Sequence, residues 1–236
     1  MIATAFNRTW QQLLHPKFRS VFLTAIIAAG ATLVALTFAL NAYWPESVSF
    51  GWDWIDSIGD SIAAAGFWTV IGLGSYLLFP GIVTMVMGLL TDKIAHAVEE
   101  EYYPNRIGTR EVPFGDVFLS ATKLALIMII VNLLALLPYI ILLFMGGIGA
   151  LLLFIAINGF LLGREYFEMV AIRHMDRRSM QAFRVENSGK IFIGGALIAG
   201  MFLIPFLNIL APIVGASVMT HIFHHLRAQA PSGSRY

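Results

Sequence analysis

The stretch 201-MFLIPFLNILAPIVGASVM-219 carries two prolines, Pro205 and Pro212, inside an otherwise apolar run. Proline removes a helix hydrogen bond and clashes with the preceding turn, which costs about 3 kcal/mol in a helix interior. In lipid, a carbonyl group that loses its partner has no water to bind instead. The two prolines therefore predict that the chain reverses direction here, partway through a membrane.

The composition is that of an integral membrane protein. The 236 residues are 58% hydrophobic and 12% charged, with a mean hydropathy of +0.77, whereas soluble domains carry about 25% charged residues. The net charge of +1 gives no indication of a nucleic-acid partner, and we expect none. Without cysteine, the chain has no disulfide and no thiolate metal site.

Four uncharged blocks organise the chain, at 20–45, 61–91, 124–163 and 191–226. Each of the first two fits one long transmembrane helix of about 20 residues. The third and fourth are too long for one span, and both carry helix breakers near the middle: Pro138 with Gly146, Gly147 and Gly149 in one, Pro205 with Pro212 in the other. Each of these two blocks predicts two helical arms of about 14–17 residues, with a helical rise of about 1.5 Å per residue. The sequence favours two membrane-dipping, re-entrant hairpins, and six full spans remain open.

The basic residues predict the orientation. Segment 46–60 has four acidic residues and neither lysine nor arginine, and the other polar segments hold all 15 basic residues. The positive-inside rule then puts both termini in the cytoplasm. We predict one membrane domain over 1–226, a disordered tail over 227–236, and amphipathic surface helices over 2–14 and 164–186. The second long helix is expected to continue to Pro104.

The stretch 15-HPKFRS-20 is the candidate anion site. Proline suits the first turn of a helix, where free N–H groups and the positive end of the dipole attract anions. Lys17 and Arg19 add two cations, and Ser20 adds a hydroxyl group. The alternative is a basic anchor that only holds the helix end at the cytoplasmic surface.

The histidines of 221-HIFHH-225 share one helical face and have the spacing of a metal-binding box. Membrane enzymes with such boxes need several of them, and His15, His96 and His174 stand isolated in this sequence. We therefore expect no metal and no cofactor. Phosphate-binding loops, nucleophile elbows and H-E-x-x-H motifs do not occur in the sequence either, so we do not expect an enzyme.

Polar residues inside the apolar blocks form a third candidate group: Asn132, Asn158 and Asn208. They either line a polar pathway or form hydrogen bonds that hold the helices together. Gly159 and Gly163 have the G-x-x-x-G spacing of close helix packing. Arg164 and Glu165 are expected to form an ion pair, and 99-EEEYY-103 to form a solvated helix end.

The segments 204-IPFLNILAPIVGASVMTH-221 and 158-NGFLLGREYFEMVAIRH-174 resemble the CysZ family of bacterial sulfate permeases, which shares a domain with eukaryotic etoposide-induced proteins. The resemblance covers nearly the whole chain. It implies a homo-oligomer in the bacterial inner membrane that takes up sulfate for cysteine synthesis. It also implies two long transmembrane helices and two membrane-dipping hairpins.

The family's sulfate site, a P-G-[LI]-R-R-type motif at the start of the first long helix, falls on Pro16, Lys17, Phe18, Arg19 and Ser20. Here lysine replaces the glycine, and serine replaces the second arginine. The apolar blocks predict an all-α membrane protein, and the resemblance implies a sulfate permease. We expect sulfate to be captured by residues 17–20 and to pass along the asparagines. The alternatives are a non-transporting scaffold that shapes the inner leaflet, and a metal enzyme built on His221.

Overall fold

The computed structural model describes residues 1–44, 51–110 and 114–230, and these residues are helical without any strand. The helices are α1 (Ile2–Gln12), α2 (Pro16–Tyr43), α3 (Asp53–Leu89), α4 (Thr91–Tyr102), α5 (Phe114–Phe144), α6 (Ile148–Ala171), α7 (Arg177–Glu186), α8 (Ser188–Phe202) and α9 (Leu207–Gln229). A short 3₁₀ helix covers Pro104–Arg106. The predicted all-α fold class is confirmed.

Four helices in the described part of the chain are long and apolar enough to cross a membrane: Pro16–Tyr43, Leu126–Phe144, Ile148–Ala171 and Leu207–Gln229. Helix α8, with 15 residues, is shorter. Helix α3 runs through the second uncharged block and has 37 residues, about 56 Å at 1.5 Å per residue. The long, apolar helices make this a multi-pass membrane protein.

The helices fall into two compact units. The smaller unit, Ser20–Leu89, contains most of α2 and all of α3. Inside it, the indole N–H of Trp44 donates to the carbonyl oxygen of Ala63 at 3.2 Å, which ties the end of α2 to α3. The larger unit combines Met1–Arg19 with the described residues from Leu90 on, and the candidate polar sites discussed below lie mainly in it.

Helix α9 is the core of the larger unit. It packs against α1, α4, α6 and α8, and 83% of its most apolar window is buried. The face of α1 that meets it consists of small and polar residues, and the Thr9 hydroxyl lies 2.8 Å from the hydroxyl of Ser217. Among the larger apolar side chains of α1, Trp10 is exposed, whereas Ile2 and Phe6 are half-buried. Helix α1 is therefore amphipathic as predicted.

Helices α6 and α8 touch through glycines. A Cβ atom on Gly163 would lie 2.7 Å from the carbonyl oxygen of Ile191, and one on Gly159 would lie 2.8 Å from Cα of Ala196. Both distances are too short for a real side chain. The close packing predicted from the G-x-x-x-G spacing is therefore confirmed.

The third uncharged block turns at its glycines and not at its proline. Pro138 lies inside α5, which continues to Phe144. Gly146 and Gly147 then adopt φ values of 109° and 80°, and the N–H of Gly147 donates to the carbonyl of Leu142 at 3.2 Å. This is the Schellman end of a helix, in which glycine supplies the left-handed backbone.

The fourth block turns at the first of its two prolines. Pro205 lies in the turn between α8 and α9, where Phe206 takes a φ of 67°, whereas Pro212 lies inside α9. The 15-residue α8 has the predicted arm length, but α5, α6 and α9 have 31, 24 and 23 residues. Two helical hairpins are present, and three of their four arms are longer than predicted. Their re-entrant depth remains a prediction.

Three boundaries differ from the sequence prediction. A turn at Leu90 separates α3 from α4, although α4 ends before Pro104 as predicted. Segment 164–186 is not one surface helix: it is divided between α6 and α7, with Phe167 and Phe183 buried. The N–H groups at the start of α7 donate to the Asp176 carboxylate, which explains the new helix start. Helix α9 extends to Gln229, into the predicted tail, and residues 231–236 lie outside the described residues.

Candidate functional site

Glu99, on α4, is fully buried although it is ionisable. The buried residues of α4 recur every three or four positions and include Thr91, Ile94, Ala95, Val98 and Glu99. Residues at that spacing share a helix face, and α4 packs against α9. Glu99 therefore occupies the last position of the inward face. The prediction that 99–103 is a solvated helix end is wrong for this residue.

Four groups surround the Glu99 carboxylate. Nη2 of Arg173 lies 2.8 Å from Oε2, and the backbone N–H of Gly108 donates to the same oxygen at 3.3 Å. Nε2 of His174 lies 2.7 Å from Oε1, and Nε2 of His224 lies 3.4 Å from it. The carboxylate thus joins the loop after α4, the turn after α6 and helix α9.

These contacts keep Glu99 ionised. Burial by itself raises the pKa of the carboxyl group, because the charged form loses its hydration. The hydrogen bonds from His174 and His224 and the charge of Arg173 outweigh that effect and hold the pKa of Glu99 at about 2. At neutral pH the group is therefore a carboxylate, and its charge is matched locally by Arg173.

Arg227 determines which nitrogen of His174 carries the proton. Its Nη1 lies 3.1 Å from Nδ1 of His174, and a guanidinium group can only donate. Nδ1 is therefore the acceptor, so Nε2 carries the proton and donates it to Glu99. We call Glu99, Arg173, His174, His224 and Arg227 the Glu99 cluster.

The three histidines on α9 do not act as one group. His224 faces Glu99, and its ring stacks on Tyr103 with centroids 4.1 Å apart and planes inclined by 12°. Nδ1 of His221 lies 2.9 Å from the Tyr103 hydroxyl, and His225 is exposed. The interpretation of His174 as isolated is wrong, because this residue completes the cluster.

Glu99, His174 and His224 offer ligand atoms within 4.8 Å of one another, close enough to hold a metal ion. Carboxylate and imidazole are zinc and iron ligands. In the hydrogen-bond pattern above, however, Nε2 of His174 carries a proton that a metal would have to displace. Arg173 and Arg227 also place two cations beside the same three residues. The geometry fits a hydrogen-bonded charge cluster better than a metal centre.

The predicted anion site lies at the start of α2, which begins at Pro16 as the sequence indicates. The backbone N–H of Lys17 donates to Nδ1 of His15 at 3.3 Å. The ammonium group of Lys17 is half exposed and forms an ion pair with Glu100. Lys17, one of the two cations that the sequence assigns to the anion site, is therefore already paired with a carboxylate.

The other residues of this site differ in exposure. Phe18 is 1% exposed, so its side chain anchors the helix start and can offer only its backbone to a ligand. Arg19 and Ser20 are exposed. Arg19 is thus the exposed cation of residues 17–20 that forms no ion pair with any residue the structure describes. Anion binding at these residues stays a prediction.

Two of the three asparagines bond within their own helices. The side-chain N–H of Asn132 donates to the carbonyl of Met128 at 2.8 Å, and that of Asn158 to the carbonyl of Phe154 at 3.0 Å. Asn208 lies in the first turn of α9. In the described part of the chain, no hydrogen bond joins the three side chains to one another. A pathway role also stays a prediction.

The ion pair predicted between Arg164 and Glu165 is wrong. Nε of Arg164 lies 2.7 Å from Oε1 of Glu168, one helical turn away, and Nε of Arg184 on α7 lies 3.3 Å from the same oxygen. Adjacent helical residues point in different directions, whereas residues four apart face each other. Sequence reasoning also missed Glu99, although its spacing from Thr91, Ile94 and Ala95 was a readable signal.

A family model described as sulfate transporter CysZ/etoposide-induced protein 2.4 matches residues 5–212. The matched range contains α2 to α8 whole and includes residues 17–20, Glu99 and all three asparagines. No curated protein matches the chain.

Proposed function

Because the chain belongs to the sulfate transporter CysZ/etoposide-induced protein 2.4 family, we propose that it is a sulfate permease of the bacterial inner membrane that supplies cysteine synthesis. The family match over 5–212 is the observation that carries this proposal. The proposed transport function agrees with the four helices in the described residues that are long and apolar enough to cross a membrane. Neither cofactor nor catalysis is part of the proposed activity.

The capture step is assigned to the start of α2. The positive end of the α2 dipole and the exposed guanidinium of Arg19 attract a dianion. Lys17 contributes a second cation once its ion pair with Glu100 opens. Exposed ion pairs stabilise a protein by only about 0–1 kcal/mol, so little free energy is needed to open this one. Ser20 adds a hydroxyl donor.

The path across the membrane is assigned to the asparagines, and Asn208 is the best placed of them. It lies at the N-terminal, positive end of α9, where the proline turn starts a helix inside an apolar block. Asn132 and Asn158 each already use one of their two amide N–H donors on a carbonyl group of their own helix. We expect Asn208 to replace part of the hydration shell of sulfate.

A homo-oligomer is part of the proposal. Only 6% of the most apolar window of α5 is buried, and Leu133, Leu134 and Leu137 on it are each about two-thirds exposed or more. Such surfaces face lipid or other copies of the chain. Membrane lipids and sulfate are the other expected partners.

Uptake of radiolabelled sulfate into liposomes tests the proposal. We expect uptake with the wild-type protein above that of empty liposomes, and a drop of roughly tenfold or more in Lys17→Ala/Arg19→Ala, since charge-assisted hydrogen bonds contribute about 1.5–3 kcal/mol. Lys93→Ala/Arg178→Ala removes the same charge from two exposed positions outside the site and is the matched control.

The outcomes separate the parts of the proposal. Equal uptake by the two double variants would retain the permease and move the capture site elsewhere. A protein that is folded but gives no uptake would favour the non-transporting scaffold. Glu100→Gln adds a positive test, because freeing Lys17 should strengthen sulfate binding if Lys17 is a ligand.

A further inference from the structure

Four arginines line one pocket of about 520 Å³ in the larger unit. Arg106 and Arg110 belong to the loop after α4, Arg173 follows α6, and Arg227 is in the last turn of α9. We call this the arginine pocket. It shares no residue with the predicted capture site at 17–20.

Among the residues that the structure describes, a carboxylate pairs with only one of these charges. Arg173 pairs with Glu99, whereas Nη1 of Arg110 donates to the carbonyl oxygen of Met175 at 2.9 Å. Neutral acceptors such as a carbonyl group satisfy the N–H groups of a guanidinium but leave its charge uncompensated.

Within the described residues, the other two arginines have no neutralising partner either. Arg227 donates to the uncharged Nδ1 of His174. In the ranges that the structure describes, no carboxylate lies within ion-pair distance of Arg106, Arg110 or Arg227. Like charges held in one pocket repel each other, and a bound anion relieves that repulsion.

The pocket is preorganised by tight backbone packing. The N–H of Arg110 donates to the carbonyl oxygen of Arg173 at 3.2 Å. A Cβ atom on Gly108 would lie 2.8 Å from Cβ of Arg173 and 2.9 Å from Nε2 of His174. The loop and the turn are therefore pressed together, and a ligand would find the arginines already assembled.

Arg173 also keeps a spare donor. Its Nη2 binds Glu99, but its Nη1 is buried and has no hydrogen-bond partner in the part of the chain that the structure describes. A buried donor without an acceptor is unfavourable. Arg173 therefore has guanidinium N–H donors left for a further acceptor.

We propose that the arginine pocket binds a tetrahedral oxyanion, either as free sulfate or phosphate or as the phosphate of a lipid headgroup. Planar guanidinium forks match the paired oxygens of such groups, and each can form two parallel hydrogen bonds. Chloride has no paired oxygens, so only its electrostatic attraction to the arginines would favour binding. The volume accommodates the anion together with water or with the start of a headgroup.

Calorimetry on the full chain in neutral detergent tests the proposal, with sodium sulfate and sodium phosphate titrated at constant ionic strength. The Lys17→Ala/Arg19→Ala background removes the capture site from the measurement. In that background we expect Arg106→Gln to weaken binding roughly tenfold, as for one charge-assisted hydrogen bond. Arg106 is exposed, so this variant should fold.

Two further variants provide the controls. Arg178→Gln removes one exposed arginine outside the pocket and should bind like its parent. Arg106→Lys keeps the charge but loses the planar fork, and we expect intermediate affinity. Native mass spectrometry of the same proteins with phosphatidylglycerol or phosphatidylcholine identifies a lipid source.

Each outcome decides the proposal. Sulfate or phosphate binding that weakens in Arg106→Gln but not in Arg178→Gln supports a free anion. Retention of phosphatidylglycerol that is lost only in Arg106→Gln supports a lipid headgroup. If neither ligand distinguishes the two variants, the proposal is overturned. This result is independent of sulfate uptake, so the permease and the arginine pocket can fail separately.

Discussion

Glu99 is the residue that connects most of the polar chemistry in the larger unit. Its two oxygens receive hydrogen bonds from Arg173, His174, His224 and the backbone of Gly108. Placing a charge in a buried position is costly unless it is paired and hydrogen-bonded. The pairing here is extensive, so removing one partner should be much more damaging than removing a surface charge.

Glu99→Gln should therefore destabilise the protein strongly. The substitution keeps the size of the side chain but leaves Arg173 as an unmatched charge, and we expect a loss of about 3–5 kcal/mol. Glu101→Gln, two residues away and exposed, is the control and should change stability by less than about 0.5 kcal/mol. Thermal unfolding of both variants in detergent gives the comparison. Equal melting temperatures would contradict the assigned role of the Glu99 cluster.

The stability of the wild type and that of Glu99→Gln should also depend differently on pH. Burial raises the pKa of Glu99, but the hydrogen bonds and the charge of Arg173 lower it to about 2, below its ordinary value of 4.5. The stabilisation is fully present above the ordinary pKa and is lost as the pH falls towards about 2. The stability difference between wild type and Glu99→Gln should therefore shrink between pH 5 and pH 2. A constant difference over this range would contradict the assignment.

At the scale of the elements, the contact between α6 and α8 depends on the absence of side chains. Gly163→Ala should destabilise the protein by about 1–3 kcal/mol, because its Cβ would meet the carbonyl oxygen of Ile191 at 2.7 Å and push α8 away. Gly189→Ala, on α8 itself, meets no atom within 4 Å and should be neutral or slightly stabilising. Thermal unfolding distinguishes the two. A harmless Gly163→Ala would mean that the helices can separate freely.

The helix breakers were only partly readable from the sequence. Pro205 and the glycines at 146 and 147 mark the two turns, since a turn needs the backbone conformations that glycine permits. Pro138 and Pro212 lie inside helices. A proline removes one hydrogen bond, and packing against neighbouring helices can outweigh that cost in a membrane protein. The predicted breakers therefore included the residues of both turns, but two of them, Pro138 and Pro212, do not end a helix.

At the scale of the whole molecule, the depth of the two hairpins can be measured. The chain has no cysteine, so single cysteines at Met145 and at Leu203 each report on one turn. If the hairpins are re-entrant, membrane-impermeant thiol reagents added from outside should not label either turn. The single cysteine Arg178→Cys, on the predicted cytoplasmic side, should be labelled only after the membrane is opened. Labelling of both turns from outside would establish full spans instead.

The sequence by itself determined the membrane location, the all-helical fold, the approximate positions of the two turns and the close packing at Gly159 and Gly163. These properties depend on composition, on local backbone preference and on spacing within one helix. The Glu99 cluster and the arginine pocket were decided only by the tertiary structure. Arg173 and Glu99 are 74 positions apart, and His224 and Glu99 are 125 apart. Charges so distant in the chain meet only because α4, α6 and α9 pack together, and no local pattern encodes which of 15 basic residues will be brought to one carboxylate.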